Sequence, residues 1–220
     1  MSEIVLAFDI EYSGYEVIAI GASVVDTNFM ELDNFFFGNY IADVTQFEHR
    51  CWDEFWSKNE DVLNIIKYKG NKTDSKEKRA FEMINSFQEF RAKWENLSQE
   101  MNKKLVLVTD NNIFDGGLIN QLIKKYLPNT EGIPYSASRD ENNKQKYQPF
   151  WETFSQQKGL LMAVKPELNC DWGLTDKIFE LYAIDKPLVN HDHNPANDAY
   201  TIAYDQQVLF GIRDGRINKK

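Results

Sequence analysis

Three short, nearly continuous apolar runs constrain the fold most: Ile4 to Ile10 (IVLAFDI), Val17 to Val25 (VIAIGASVV) and Leu105 to Thr109 (LVLVT). Continuous runs of this length read as strands buried on both faces, whereas a sheet wetted on one side would alternate. Phe35 to Tyr40 reads as a further strand, so the N-terminal part is predicted to be a meander. Phe81, Ile84, Phe87, Phe90, Trp94 and Leu97 then recur every three or four residues, as one face of a long helix does. Ser75 is its expected N-cap, and Glu77 suits the first turn. Leu118, Ile119, Leu122, Ile123 and Tyr126 form a helical stripe directly behind LVLVT. Two later helices are expected. Gly173 to Ile184 turns Leu174, Ile178, Leu181 and Tyr182 inward, and Ala196 to Leu209 turns in Ala199, Ile202, Ala203 and Gln206. Strand, turn and helix in succession predict the α/β class.

With 220 residues the chain has the length of one domain. A block rich in charge and aromatics runs from about 47 to 102. The polar stretch from Asn129 to Gln148 reads as a loop or lid, and the basic tail from Arg213 to Lys220 as a frayed end. Two cysteines, Cys51 and Cys170, exclude a disulfide framework and a four-cysteine zinc site. No run approaches the ~20 apolar residues of a membrane span, and the N-terminus lacks a basic n-region, so a soluble, reducing, cytoplasmic setting with no membrane partner is expected. The net charge of −9 argues against holding nucleic acid by charge alone. It does not argue against binding through metal ions, since carboxylates are what such sites are made of. Two divalent ions would bring −9 only to −5.

The acids at the ends of these elements carry the chemistry. Asp9 and Glu11 close the first strand, and residues two apart on a strand share a face, so both carboxylates project together. They repel unless a cation lies between them. Asp110 and Asp115 follow LVLVT, where N-capping by Asp115 is the ordinary explanation. In HDHNPANDAYTIAYD (His191 to Asp205), Asn194 and Pro195 open a helix, Asp198 lies one turn in, and His193 stands just outside. A loop histidine beside a helical acid suits a general base next to a ligand. A polar surface turn is the ordinary explanation for that motif taken alone.

Taken in order, FDIE (Phe8 to Glu11), DNNIFD (Asp110 to Asp115) and HNPAND (His193 to Asp198) resemble the DEDDh branch of the DnaQ-like 3′→5′ exonucleases, on the ribonuclease H-like fold. The helix ending in LYAID (Leu181 to Asp185) is similar to the family's helix before its histidine motif. The chain departs from the pattern at Asp110, where the family often has His or Ser, and at Pro195, where it often has Ala. His191 competes with His193 for the base position, and spacing to Asp198 favours His193.

The resemblance implies one exonuclease domain over residues 1–220, with a central mixed sheet flanked by helices and the 47–102 block as an insertion. It implies two divalent ions, Mg²⁺ or Mn²⁺, held by Asp9 as bridging ligand, by Glu11 and Asp198 on the nucleophile side, and by Asp115 on the second ion, with His193 as catalytic base. The implied substrate is single-stranded DNA or RNA cut from its 3′ end. Tyr12, Ser13, Asn111 and Phe114 are candidate substrate contacts. Trp52 and Trp56 are candidate stacking platforms for which a core role is at least as expected. Lys67, Lys69, Lys72, Lys76, Lys78 and Arg79, or Arg139, Lys144 and Lys146 in the lid, are candidate phosphate contacts against the plainer alternative of a solvated face. A catalytically weak binding or scaffold module on the same fold, and a cation-binding protein without hydrolysis, are the alternatives. The sequence leaves a homodimer open.

Overall fold

The computed structural model describes residues 3–14, 16–133, 151–167, 173–187 and 193–219. The chain opens with strands β1 (Glu3–Ser13), β2 (Glu16–Val25) and β3 (Glu31–Gly38), followed by short helices α1 (His49–Glu54) and α2 (Glu60–Ile65) and the long helix α3 (Lys76–Glu100). Strand β4 (Lys104–Thr109) leads through a single π-turn, Asn112–Gly116, into α4 (Gly117–Tyr126). Then come β5 (Trp151–Glu152), α5 (Thr153–Val164), α6 (Leu174–Tyr182) and α7 (Pro195–Arg213). Among the described residues the sheet order is β3-β2-β1-β4-β5, with β1, β2 and β3 antiparallel and β4 and β5 parallel to β1. It is a mixed sheet covered by helices, the ribonuclease H-like α/β class.

Parity along β1 divides the molecule into its layers. Ile4, Leu6, Phe8 and Ile10 join Met83, Ile84 and Phe87 of α3 and Leu118 and Ile119 of α4 in one core cluster. Val5 and Ala7 point the other way, into a cluster with Ile202, Ala203 and Phe210 of α7. Both faces of β1 are covered, which is why its sequence is apolar without alternation. Asp9 and Glu11 share the parity of Val5 and Ala7, so strand geometry directs them to the α7 face. Helix α7 is tied down by Gln207, whose Nε2 donates to the carbonyls of Glu3 (3.1 Å) and Val25 (3.0 Å).

Local signals explain most boundaries. Ser75 caps α3 by accepting from the Lys78 N–H, and Glu77 sits in the first turn. Gly14 takes φ +60° where β1 reverses into β2, a conformation glycine reaches without a Cβ penalty. Several expectations need correction. The third strand spans Glu31–Gly38 rather than Phe35 to Tyr40, since Tyr40 makes only an isolated bridge to Lys67. Phe81 is 42% exposed and lies off the buried stripe of α3, which instead includes Arg79, Met83 and Phe87. Past helix α7 the tail is not simply loose, because Ile217 packs onto the cluster of α6 and α7, and Arg213 itself binds Glu3 (2.6 Å). Helix α5 had no sequence signal. Cys170, His191 and the lid residues Arg139, Lys144 and Lys146 lie outside the described residues.

Candidate metal centre

Three elements deliver acids to one end of β1. Asp9 is the register partner of Gly21 on β2, and Glu11 that of Ala19. A bulge follows Glu11, so Tyr12 leaves the alternation and emerges 37% exposed. On the next strand, β4 ends at Thr109 and its neighbour Asp110 is exposed. Asn111 caps the π-turn, its side chain accepting from the Phe114 N–H, and the turn drives Asp115 inward to 4% exposure. Asp115 is therefore not an N-cap: that position belongs to Asn111, and the buried Thr109 hydroxyl donates to the Asp115 carboxylate. On α7, Asn194 caps the helix by accepting from the Ala196 N–H (3.2 Å), Pro195 occupies the first turn, and Asp198 is 1% exposed.

These acids form two adjoining groups. Glu11, His193 and Asp198 each bring a ligand atom within 4.8 Å of the others, and so do Asp9, Asp110 and Asp115. Nδ1 of His193 lies 3.6 Å from Oε1 of Glu11. His193 holds φ +58°, a left-handed conformation that histidine tolerates better than most residues, and this places it outside the helix. Burial pushes the Asp9 carboxyl well above the ordinary carboxylate range, and the charges of Asp115, Glu11, Asp110 and Asp198 push it further. Asp115 is raised by its burial and by Asp110, against the lowering effect of the Thr109 hydroxyl. Burial comes first in both shifts, and the crowding of negative charge adds to it. Carboxylate oxygens beside one imidazole are a donor set compatible with a divalent cation, and a dication would relieve the crowding.

The other candidates separate clearly. Tyr12 and Phe114 stack at 5.9 Å with their rings 11° apart, and Phe114 is 49% exposed. They form an aromatic surface beside the acids. Ser13 is buried, and its hydroxyl accepts from the Glu48 N–H (2.6 Å). Trp56 is 2% exposed, packs on Phe47 and belongs to the core, while Trp52 is partly buried and packs on the same ring. Three members of the basic run have partners within the protein, and of these only Arg79 is buried. Lys76 binds Glu16 (2.6 Å), Lys78 binds Asp74 (2.7 Å), and buried Arg79 donates to the Asn39 side chain (3.0 Å) and the Asp74 carbonyl (2.7 Å). Sequence reasoning named Asp110 beside Asp115 without a ligand role, and the structure brings it into the acid group. It missed Gly21, which carries no side chain where the start of α7 crosses β2.

Compared by sequence, the chain matches no protein-family model and no curated protein. Among solved structures it is similar to the crystal structure of cell-death related nuclease 4 (CRN-4), with a TM-score of 0.54 and 13% identity over 95% of this chain. The chain spans 64% of the length of that structure. At this identity the likeness speaks for the fold, the same α/β class that the strand order defines. Among the described residues no helix is long and apolar enough to cross a membrane.

Proposed function

We propose that the chain is a metal-dependent 3′→5′ exonuclease. It would hydrolyse phosphodiester bonds of single-stranded DNA or RNA from the 3′ end and release nucleoside 5′-monophosphates. The observation that carries this reading is the gathering of Asp9, Glu11, Asp115, Asp198 and His193 from β1, the turn after β4 and the start of α7. That the similar solved structure is named a nuclease supports it. The whole chain acts as one exonuclease domain in this reading, with residues 47–102 as a helical insertion.

Asp9, Glu11, Asp115 and Asp198 would hold the ions, with Asp110 beside Asp9 and Asp115. Two Mg²⁺ or Mn²⁺ ions, when bound, supply an activated water and neutralise charge on the phosphoryl and leaving oxygens. His193 takes the proton of the attacking water. Its Nδ1 faces Glu11, so Nε2 is assigned that proton. An imidazole with an unperturbed pKa near ~6.5 suits this at neutral pH. Tyr12 and Phe114 offer their stacked pair to the terminal bases, where each stacking contact contributes about 1–3 kcal/mol. Ser13 contributes through its backbone, since its hydroxyl serves Glu48.

A time course on 3′- and 5′-labelled single-stranded DNA and RNA, with Mg²⁺, Mn²⁺ or EDTA, tests the proposal. Mononucleotides appearing from the 3′ end only with metal are expected. Metal-dependent binding without cleavage would instead favour a binding module on this fold.

A further inference from the structure

We propose that Phe55 is a positioning residue, whose ring braces the His193 imidazole against Glu11 and makes the connection between β3 and α3 a working part of the site. The role builds on His193 as the base proposed above. The two rings meet edge to face, with centroids 4.6 Å apart and planes 68° from parallel. Such contacts stabilise by more than the area they bury. The contact falls on a side chain that is 43% exposed and stands at the start of α7.

Phe55 is itself fixed. Its ring packs edge-on against Trp56 at 4.9 Å, and Trp56 is buried against Phe47. Its carbonyl accepts from Asn59 Nδ2 (2.7 Å) and the Lys58 N–H (3.0 Å), and its own N–H donates to the Cys51 carbonyl (3.1 Å). The segment is tied to β1 where the Glu48 N–H meets the Ser13 hydroxyl, two residues beyond Glu11. Glu11 and Phe55, which flank the imidazole, are therefore held in one frame. The effect is to restrict the rotamers of a loop side chain before substrate arrives, so the base is spared part of the ordering cost during the reaction.

The test compares wild type, Phe55→Ala, Phe55→Leu, Phe55→Tyr, His193→Ala and the Phe55→Ala/His193→Ala double variant on a 3′-labelled oligonucleotide. Removing one aromatic contact should lower kcat roughly 2- to 10-fold, with KM and the Mn²⁺ midpoint unchanged. Phe55→Leu keeps the bulk without the ring edge and should resemble Phe55→Ala, while Phe55→Tyr restores the rate. In the His193→Ala background the substitution should have no further effect. An equal loss in both backgrounds would overturn the brace. Carbon-13 signals of labelled histidine, recorded without nucleic acid, separate this idea from the nuclease proposal. The His193 imidazole signal should shift and broaden in Phe55→Ala and Phe55→Leu and return in Phe55→Tyr. An unchanged signal overturns the brace whether or not the chain cuts nucleic acid. An inactive wild type whose signal still responds retains the brace and overturns the nuclease proposal.

Discussion

A β carbon on Gly21 would lie 2.0 Å from the carbonyl carbon of Pro195. No real Cβ contact is that short, so the start of α7 reaches β2 only because residue 21 has no side chain. Gly21 is also the register partner of Asp9, so this close crossing is what brings Asp198 beside the acids of β1. Gly21→Ala must push the first turn of α7 away. The expected outcome is a loss of about 1–3 kcal/mol from overpacking and a fall in nuclease rate of about 10²-fold, the scale of a displacement near 1 Å. Urea denaturation and the labelled-oligonucleotide assay check this. A variant as active as wild type would mean that α7 can shift without disturbing the site.

The two histidines of the HDH stretch should differ. His193→Ala is expected to lower kcat about 10²- to 10⁴-fold, the usual scale for a general base, because its imidazole lies beside Glu11. His191→Ala should cost much less. Steady-state kinetics on both variants decide the matter, and a larger loss from His191 would reverse the assignment.

The basic stretch before and within α3 should matter for stability rather than substrate. Lys78 already serves Asp74, and Arg79 is 3% exposed with Asn39 and Asp74 as its acceptors. Lys78→Glu should leave KM within about two-fold. Arg79→Ala strips the Asn39 side chain and the part-buried Asp74 carbonyl of a charged donor and should destabilise by roughly 1–3 kcal/mol. Denaturant melts and salt-dependent KM values measure both. A steep KM rise for Lys78→Glu with unchanged stability would restore a phosphate track along this face.

Asp205 predicts a pH dependence. Its Oδ2 accepts from Gln157 Nε2 (2.9 Å) and Thr175 Oγ1 (2.5 Å), while its Oδ1 is buried with no hydrogen-bond partner among the described residues. Burial is the chief cause that lifts its pKa from 3.8 to about 6, with Asp176 of α6 adding to it. It shares a cavity of about 480 Å³ with Asp9, Asp110, Asp176 and Asp198. A carboxyl raised in the folded state costs nothing below its unfolded pKa. It becomes costly as pH climbs from about 4 to about 6, and the cost is complete above that. Asp205→Asn keeps an acceptor for both partners and removes the charge. The stability of the metal-free variant relative to wild type should rise by about 1–3 kcal/mol between pH 4 and pH 8, whatever fixed cost the buried amide N–H adds at both. An equal effect at both pH values would show that charge is not the cause.

How much of this was legible in the sequence depended on which interactions repeat along the chain. The strands at Ile4 and Leu105 were visible because burial on both faces leaves an unbroken apolar run, and the stripe of α4 because a core face imposes a period. Asp9 and Glu11 were readable as a pair because strand parity fixes which side chains share a face. Helix α5 was not, because its buried positions are Thr153, Gln157 and Leu161, and two of the three are polar. Their burial is satisfied by partners on other helices, such as Gln206 and Asp205, which no local pattern announces. The partners of Lys76 and Lys78 were not legible either: a run of lysines looks the same whether or not carboxylates such as Glu16 and Asp74 meet it. Gly21 looked like any strand glycine until α7 was laid across it.

The central claim is that acids from β1, the turn after β4 and α7 form one divalent-metal centre, and Mn²⁺ titration by calorimetry tests it most directly. Wild type should bind two ions. Asp9→Asn, which removes the carboxylate that all the others crowd, should lose at least one of them, while its metal-free melting temperature holds or rises. Binding should also raise the melting temperature of wild type by mass action. Wild type that takes up no Mn²⁺ at millimolar concentration, or Asp9→Asn that binds it as wild type does, would contradict the account.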